Sequence, residues 1–200
     1  MKQSILPIKT TMPNRIIRIL SIDPGLTYLG YALSEYDTDT NVLVVHKYGN
    51  FQSTAAAKKN KEGCAVYSQQ IIALEHLRET IRGIISAWKP EYVATEDAFL
   101  NHRFPNAYVS LSLCINAIAQ LCYQEFKLPV YKLPPCNIKR LVTGDGKADK
   151  VAMQEAVLNN PNIVVRPNKQ KPIEHMVEHE ADAIGVGYAF TSLLPSLSNA

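Results

Sequence analysis

The 200-residue sequence lacks three features that would each define a class of protein. No apolar run reaches the ~18 residues that a membrane-spanning helix needs, so a membrane protein is not expected. The four cysteines form no Cys-x-x-Cys pair, which argues against a zinc protein or a dithiol redox protein. Internal repeats and low-complexity segments are absent as well. These absences favour a reduced intracellular protein, and the length fits one α/β domain.

A large net charge is also missing, since the chain carries only +3 at neutral pH. The charge is unevenly distributed, however. Residues 127–171 contain nine Lys or Arg against three Asp or Glu, and the rest of the chain is slightly acidic. Such a basic stretch is either a solvated face or a surface that binds a polyanion.

Two apolar runs end on acidic residues. Residues 16–22 form a short run rich in β-branched side chains, typical of a buried strand, and Asp23 follows it directly before Pro24-Gly25. A second short strand at 92–95 ends on Glu96 and Asp97. One such acid would be an ordinary solvated turn residue. Two acids at strand ends suggest a shared site, because a carboxylate beside a core needs water, a donor or a cation.

The remaining pattern predicts an α/β fold with a five-stranded mixed sheet and helices on its faces. Residues 1–14 are expected to form a loose arm, with an organelle transit peptide as a minor alternative. Residues 52–63 and 159–173 are expected to be loops. The expected strands are 16–22, 29–33, 42–51, 92–95 and 129–133, and the expected helices are 65–88, 106–125, 137–142, 150–158 and 174–194.

The predicted helix 106–125 has apolar residues around its whole circumference. A helix of this kind must be covered on more than one side. It is either a central core helix or a helix that packs on its own domain and on a partner subunit, and the pattern does not decide between them.

On the predicted last helix, His175, His179 and Asp182 share one face, with Glu178 near Asp182, whereas Glu180 points elsewhere. Asp23, Glu96 and Asp182 would then form a carboxylate cluster, which is unfavourable unless a cation lies among the acids. Hard oxygen ligands of this type suit Mg²⁺. Two such ions can promote phosphodiester hydrolysis.

Four segments together resemble the signature blocks of RuvC-type Holliday junction resolvases. In chain order they are SIDPGLTYLGYAL, ATEDAFLNHRFPNAYVSL, VTGDGKADKVAMQEAV and EHEADAIGVGYAF. The resemblance covers residues 16–190. It implies an RNase H-like fold for a single nuclease domain at 15–195, a homodimer through helix 106–125, and paired Mg²⁺-dependent nicks across a four-way DNA junction.

The resemblance also implies roles for individual residues. Asp23, Glu96 and Asp182 match the acids that hold two Mg²⁺ ions, with Mn²⁺ as a substitute. His179 stands where many relatives have another aspartate, so it is expected to act as a ligand, although Glu178 could complete the shell instead. Lys150 is expected to act near the scissile phosphate. The residues expected to contact DNA come from the basic stretch and the second block, and they are Phe99, Lys139, Arg140, Lys147 and Lys150.

Phe99 could equally be a core residue at a strand end.

Three other functions compete with junction resolution. A RuvX-like RNA-processing nuclease or an RNase H would share the acids but lack the NHRFPNAY block. A sugar-kinase or actin-type ATPase needs two such domains, and a non-catalytic junction-binding protein would have lost its acids. The expected location is cytoplasmic or nucleoid-associated, with an organelle or a virus-infected host cell left open.

Overall fold

The computed structural model describes residues 15–100, 105–166 and 173–197. The strands are β1 (Ile16–Asp23), β2 (Leu29–Asp37), β3 (Val42–Phe51), β4 (Tyr92–Glu96), β5 (Val130–Leu133) and β6 (Ile163–Val165). The helices are α1 (Ser53–Lys59), α2 (Lys61–Tyr67), α3 (Gln69–Trp88), α4 (Pro105–Leu121), α5 (Pro135–Thr143), α6 (Lys150–Asn159), α7 (Glu178–Thr191) and α8 (Leu194–Leu197). A π-helical turn, Cys122–Phe126, follows α4, and a 3₁₀ turn, Ile173–His175, precedes α7.

All six strands form one mixed sheet in the order β5-β4-β1-β2-β3-β6. The β1-β2-β3 meander is antiparallel, whereas β4, β5 and β6 each join a neighbour in parallel. The expected mixed sheet with helices on both faces is therefore confirmed, with six strands instead of five.

The side chains of β1 point alternately to the two faces of the sheet, and each face has its own hydrophobic core. Ile17 and Ile19 pack with residues of α5, α6 and α7, whereas Leu20 and Ile22 pack with residues of α3 and α4. Because side chains alternate along a strand, Asp23 belongs to the face of Ile17 and Ile19. The first strand therefore ends with its acid on the α7 side of the sheet.

Three sequence expectations about the elements were wrong. Residues 52–63, expected as a loop, contain α1 and the start of α2. Strand β6 lies in the expected loop 159–173, where its parallel partner β3 is more than a hundred residues away in the chain. The helix expected at 174–194 is α7, which begins at Glu178 and ends at Thr191, so His175 lies in the preceding 3₁₀ turn and is exposed. His175 therefore does not share a helical face with His179.

The expected arm at 1–14 lies outside the described residues. Within the described ranges, no helix is long and apolar enough to cross a membrane.

Candidate active site

The carboxyl ends of β1 and β4 bring two acids together. These parallel strands are paired from Ile19–Tyr92 to Ile22–Thr95, and the next residue of each strand is Asp23 and Glu96. Helix α7 packs over this end of the sheet and contributes the third acid, Asp182. All three line a cavity of about 270 Å³, which is also lined by Pro135, Ile138, Lys139, Asp149, Lys150, Met153 and His179. The structure thus brings together the three acids that the sequence predicted.

The three acids bind protons more tightly than exposed carboxylates do. Burial, followed by repulsion from Asp23 and Asp182, raises the pKa of Glu96 to about 8. Burial and the Asp23 charge likewise raise the pKa of Asp182 to about 6. The pKa of Asp23 is raised mainly by burial, although the hydrogen bond to His179 opposes that shift. A cation bound among the acids would favour their ionised forms and so replace these protons.

His179 lies directly against the first acid. Its Nδ1 is 2.7 Å from Asp23 Oδ2, and this hydrogen bond is the largest cause of the raised pKa of His179. The Tyr28 ring stacks on the imidazole, with ring centroids 5.6 Å apart and an interplanar angle of 11°. Two contacts therefore hold the ring at the edge of the cavity.

Glu178 is engaged by a different partner. Its Oε1 accepts a hydrogen bond from Lys150 Nζ at 2.7 Å and lies 3.7 Å from His179 Nε2. The pKa of Glu178 is lowered by Lys150. Glu178 does not line the cavity, so the structure places His179 closer to the acids than Glu178.

The predicted DNA-contacting residues divide into two groups. Lys139 and Lys150 line the cavity of the acids, and Lys139 Nζ also donates to the carbonyl oxygen of Ala148 at 2.7 Å. Arg140 lies on α5 and Lys147 on the loop after it, and neither lines the cavity. Phe99 is 68% exposed, which excludes its alternative interpretation as a core residue.

The donor set fits a hard divalent cation. Four carboxylates and one imidazole line the cavity, and one of the carboxylates, Asp149, accepts a hydrogen bond from the Ala152 N–H. The other three with the His179 ring offer oxygen ligands and a nitrogen ligand, which suit Mg²⁺ or Mn²⁺. No group of three or more His, Cys, Asp or Glu within the described ranges is gathered tightly enough to form a complete metal site. The residues nevertheless supply the donor types that such an ion needs, and Asp23 Oδ2 is engaged by His179 Nδ1.

Sequence reasoning did not identify the supports of this site. The Tyr28 ring, the contact between β2 and α7 at Gly30, and the hydrogen bond from Asn50 to Glu180 were not predicted. These contacts join residues far apart in the chain, so helical or strand periodicity carries no signal for them. The sequence signal that could have indicated these supports is the acid Glu180, which lies among small and apolar residues of α7.

Sequence comparisons relate the chain to one family of enzymes. The chain matches the family model of crossover junction endodeoxyribonuclease RuvC over residues 19–188. A relative of that description from Gloeobacter violaceus is 31% identical over 170 residues, which cover 85% of each chain. Another from Synechococcus sp. strain WH7803 is 28% identical over 156 residues, which cover 76% of this chain and 88% of the relative.

Structural comparisons show the same fold. Thermus thermophilus RuvC in complex with Holliday junction substrate matches with a TM-score of 0.67 at 18% identity, covering 90% of this chain and 97% of that one. The yeast mitochondrial Holliday junction resolvase Ydc2 matches with a TM-score of 0.64 at 13% identity, covering 94% and 83% of the two chains.

The fold is that of an RNase H-like protein, and the family match makes the chain a nuclease. The chain belongs to the RuvC family of crossover junction endodeoxyribonucleases. The resemblance seen in the four sequence blocks is thereby confirmed. Nucleases of this family depend on a metal ion.

Proposed function

We propose that this chain is a structure-selective DNA endonuclease that resolves four-way junctions by paired, metal-dependent phosphodiester hydrolysis. The family match supports the reaction, and the Thermus relative is described in complex with a Holliday junction substrate. The observation that carries the proposal is the convergence of Asp23, Glu96 and Asp182 on one cavity that also exposes Lys139 and Lys150. Acids that hold a cation and lysines that neutralise phosphate are both needed for this chemistry.

The proposed cofactor is Mg²⁺, with two ions for each site and Mn²⁺ as a substitute. Asp23, Glu96, Asp182 and His179 would hold the ions. Bound there, the ions would supply a water molecule of lowered pKa for attack on the phosphorus and positive charge for the leaving oxygen.

We assign His179 to the metal site through one neutral ring nitrogen. If Nδ1 donates its proton to Asp23 Oδ2, the neutral tautomer leaves the Nε2 lone pair as the ligand. A ligating histidine typically donates its other ring N–H to a carboxylate, which fixes the orientation of the ring. Glu178 would instead remain paired with Lys150 until a phosphate competes for that lysine.

The proposed DNA surface extends outward from the cavity. Lys139 and Lys150 would contact the phosphates nearest the reaction, and Arg140 and Lys147 would contact phosphates farther along the strand. Phe99 projects into solvent after β4, where an aromatic ring can stack on an unpaired base of the opened junction.

We propose that the active form is a homodimer whose interface includes α4. Cys114, Ile115, Ile118 and Leu121 of this helix are buried in the chain's own core, whereas Val109 and Leu113 are 53% and 37% exposed. A two-fold interface through the exposed face would be self-complementary. Two sites related by that axis could address two strands of one junction.

Junction resolution implies an intracellular protein that acts on DNA. A different RNase H-like nuclease, or a junction-binding protein without activity, remains the alternative that experiment must exclude. The three matched acids all lie in the cavity, which disfavours the non-catalytic alternative.

Acid variants test the proposal. Asp23→Asn, Glu96→Gln and Asp182→Asn should each lower cleavage of a four-way junction by more than about 100-fold, because each removes a direct ligand. Their junction binding in metal-free buffer should stay close to that of the wild type, because affinity comes from Lys and Arg.

The lysine variants serve as the converse control. Lys139→Ala and Lys150→Ala should weaken junction binding and reduce the slope of log affinity against log salt by up to about 0.9 each. Acid variants that lose binding and cleavage in parallel would contradict the metal assignment. Cleavage of linear duplex at the rate of four-way DNA would contradict the substrate assignment.

A further inference from the structure

One row of residues crosses the sheet beneath the start of α7. Asp23 of β1 is paired with Gly30 of β2, and Gly30 is paired with Asn50 of β3. The alternation of the strands places all three on the face that α7 covers. The row therefore runs from a catalytic acid to a residue that has no assigned role.

The first turn of α7 contacts every member of this row. His179 Nδ1 lies 2.7 Å from Asp23 Oδ2, and Glu180 Oε1 accepts a hydrogen bond from Asn50 Nδ2 at 2.9 Å. Between them, the His179 carbonyl oxygen lies so near Gly30 that a Cβ there would be only 1.9 Å from it. Only glycine permits this approach, so the helix start rests directly on the backbone of β2.

Glu180 is an unusual side chain for this position. It is 1% exposed and lies on the chain between His179 and Asp182, yet it does not line the cavity. Its Oε2 also accepts a hydrogen bond from the backbone N–H of Val177 at 3.0 Å, which caps the first turn of α7. Burying a carboxylate is costly unless donors stabilise it, and here the donors come from β3 and from the helix start itself.

We propose that Asn50 and Glu180 form a positioning pair for the metal site. The pair ties the first turn of α7 to β3, while the bond from His179 to Asp23 ties the same turn to β1. Two anchors on opposite sides of Gly30 fix the rotation of the helix about its axis. Because His179 and Asp182 lie on that first turn and the one after it, this rotation sets where both donors face. The inference rests on the proposed metal-dependent nuclease function.

Asn50→Ala is the first test, because Asn50 is exposed and its loss leaves the core intact. Binding of Mn²⁺, measured by electron paramagnetic resonance without DNA, should weaken about 10- to 100-fold, as expected when a supporting residue of a metal site is removed. Junction binding in metal-free buffer should not change.

An exchange of the two side chains provides the rescue. Asn50→Asp alone places a second carboxylate against that of Glu180, and it should weaken Mn²⁺ binding at least as much as Asn50→Ala. Adding Glu180→Gln restores a donor and an acceptor, since the glutamine amide can donate to the carboxylate introduced on β3 while its oxygen accepts from the Val177 N–H. The double variant should recover most of the Mn²⁺ affinity of the wild type.

Asn41→Gly is the matched control. It also removes one exposed asparagine side chain of the β2–β3 hairpin, whose Oδ1 accepts a hydrogen bond from the Tyr36 hydroxyl at 2.9 Å, but at the end away from the site. Glycine suits the backbone φ of 56° at this position. This variant should bind Mn²⁺ as the wild type does. Equal weakening in Asn41→Gly, or unchanged affinity in Asn50→Ala, would overturn the positioning role. A wild type that binds no Mn²⁺ and cleaves no junction would instead overturn the proposed function, and the pair with it.

Discussion

At the scale of single residues, burial sets the protonation of the acid cluster. Glu96 has a pKa of about 8 and Asp182 of about 6, and in both cases burial is the largest cause. Part of the cluster is therefore protonated near neutral pH when no cation is bound. A divalent ion must displace these protons, so metal affinity should rise with pH.

The raised pKa values predict how stability depends on pH. An acid whose pKa is higher in the folded than in the unfolded chain favours folding while it is protonated, and it penalises folding once it is ionised. For Glu96 the penalty begins near its ordinary pKa of 4.5 and grows until about pH 8. His179 acts in the same direction, because its raised pKa gives stability at low pH that is lost as pH rises through that pKa.

The melting temperature of the protein in chelator should therefore fall as pH increases from about 6 to 8. Glu96→Gln, which cannot ionise, should flatten this decrease. Added Mg²⁺ should raise the melting temperature more at pH 8 than at pH 6. A melting temperature in chelator that rises over this range, or a slope unchanged by Glu96→Gln, would contradict the account.

His179 gives a second residue-scale prediction. Protons and metal compete for the imidazole, so activity at limiting Mg²⁺ should fall on acidification through the raised pKa of His179. His179→Asp provides a carboxylate that stays ionised to lower pH. That variant should remain active, lose a smaller fraction of its rate between about pH 7.5 and 6, and gain less than the wild type when Mn²⁺ replaces Mg²⁺.

The ratio of the two pH–rate profiles is the observable, because deprotonation of the attacking water affects both proteins equally. His175→Asp is the control, since His175 is exposed in the turn before α7 and should leave the profile unchanged. Parallel profiles and equal Mn²⁺ responses for wild type and His179→Asp would exclude His179 as a ligand.

At the scale of elements, the sequence predicted the strands and helices whose residues follow a local hydrophobic pattern. The β-branched run before Asp23 and the short run before Glu96 predicted two strands that end on acids, and both strands formed. It missed β6, because a three-residue strand between Asn and Pro residues has no detectable period. The predicted start of α7 was also wrong, because the side chain of Glu180 caps the helix from inside and no Ser, Thr, Asp or Asn marks its first turn.

The exposed side of α4 gives the element-scale prediction. Leu113 and nearby Ile71 and Leu74 of α3 line a shallow groove of about 270 Å³. Leu113→Asp should convert a wild-type dimer into a monomer, because the charge would be buried against its own symmetry mate. Sedimentation equilibrium at micromolar concentration measures this, and circular dichroism checks that the fold is kept.

Tyr123→Asp is the control for that experiment. Tyr123 is also a large exposed side chain, and it lies on the turn that follows α4. Its replacement should leave the mass unchanged. A wild-type mass of one chain, with and without DNA, would refute the α4 dimer.

At the scale of the whole molecule, two lysines of the basic segment meet the acid cluster at the carboxyl ends of β1 and β4. Residues 127–171 carry a net charge of +6 within a chain of +3, and α5 and α6 bring Lys139 and Lys150 to the cavity that Asp23 lines. Their placement could not be deduced from the sequence by charge alone, because a basic stretch is equally typical of a solvated face. The fold places both lysines at the cavity because α5 and α6 each pack against α7.

The most direct test of the central claim uses a supercoiled plasmid that extrudes a cruciform. One nick releases the supercoiling and removes the junction, so an enzyme that nicks singly yields open circles. A dimer that makes paired nicks within one encounter yields linear DNA with cuts on opposite strands at the cruciform base. The wild type with Mg²⁺ should give mainly linear product, and Asp182→Asn should give none. Open circles as the main product, or cuts away from the cruciform, would contradict the account.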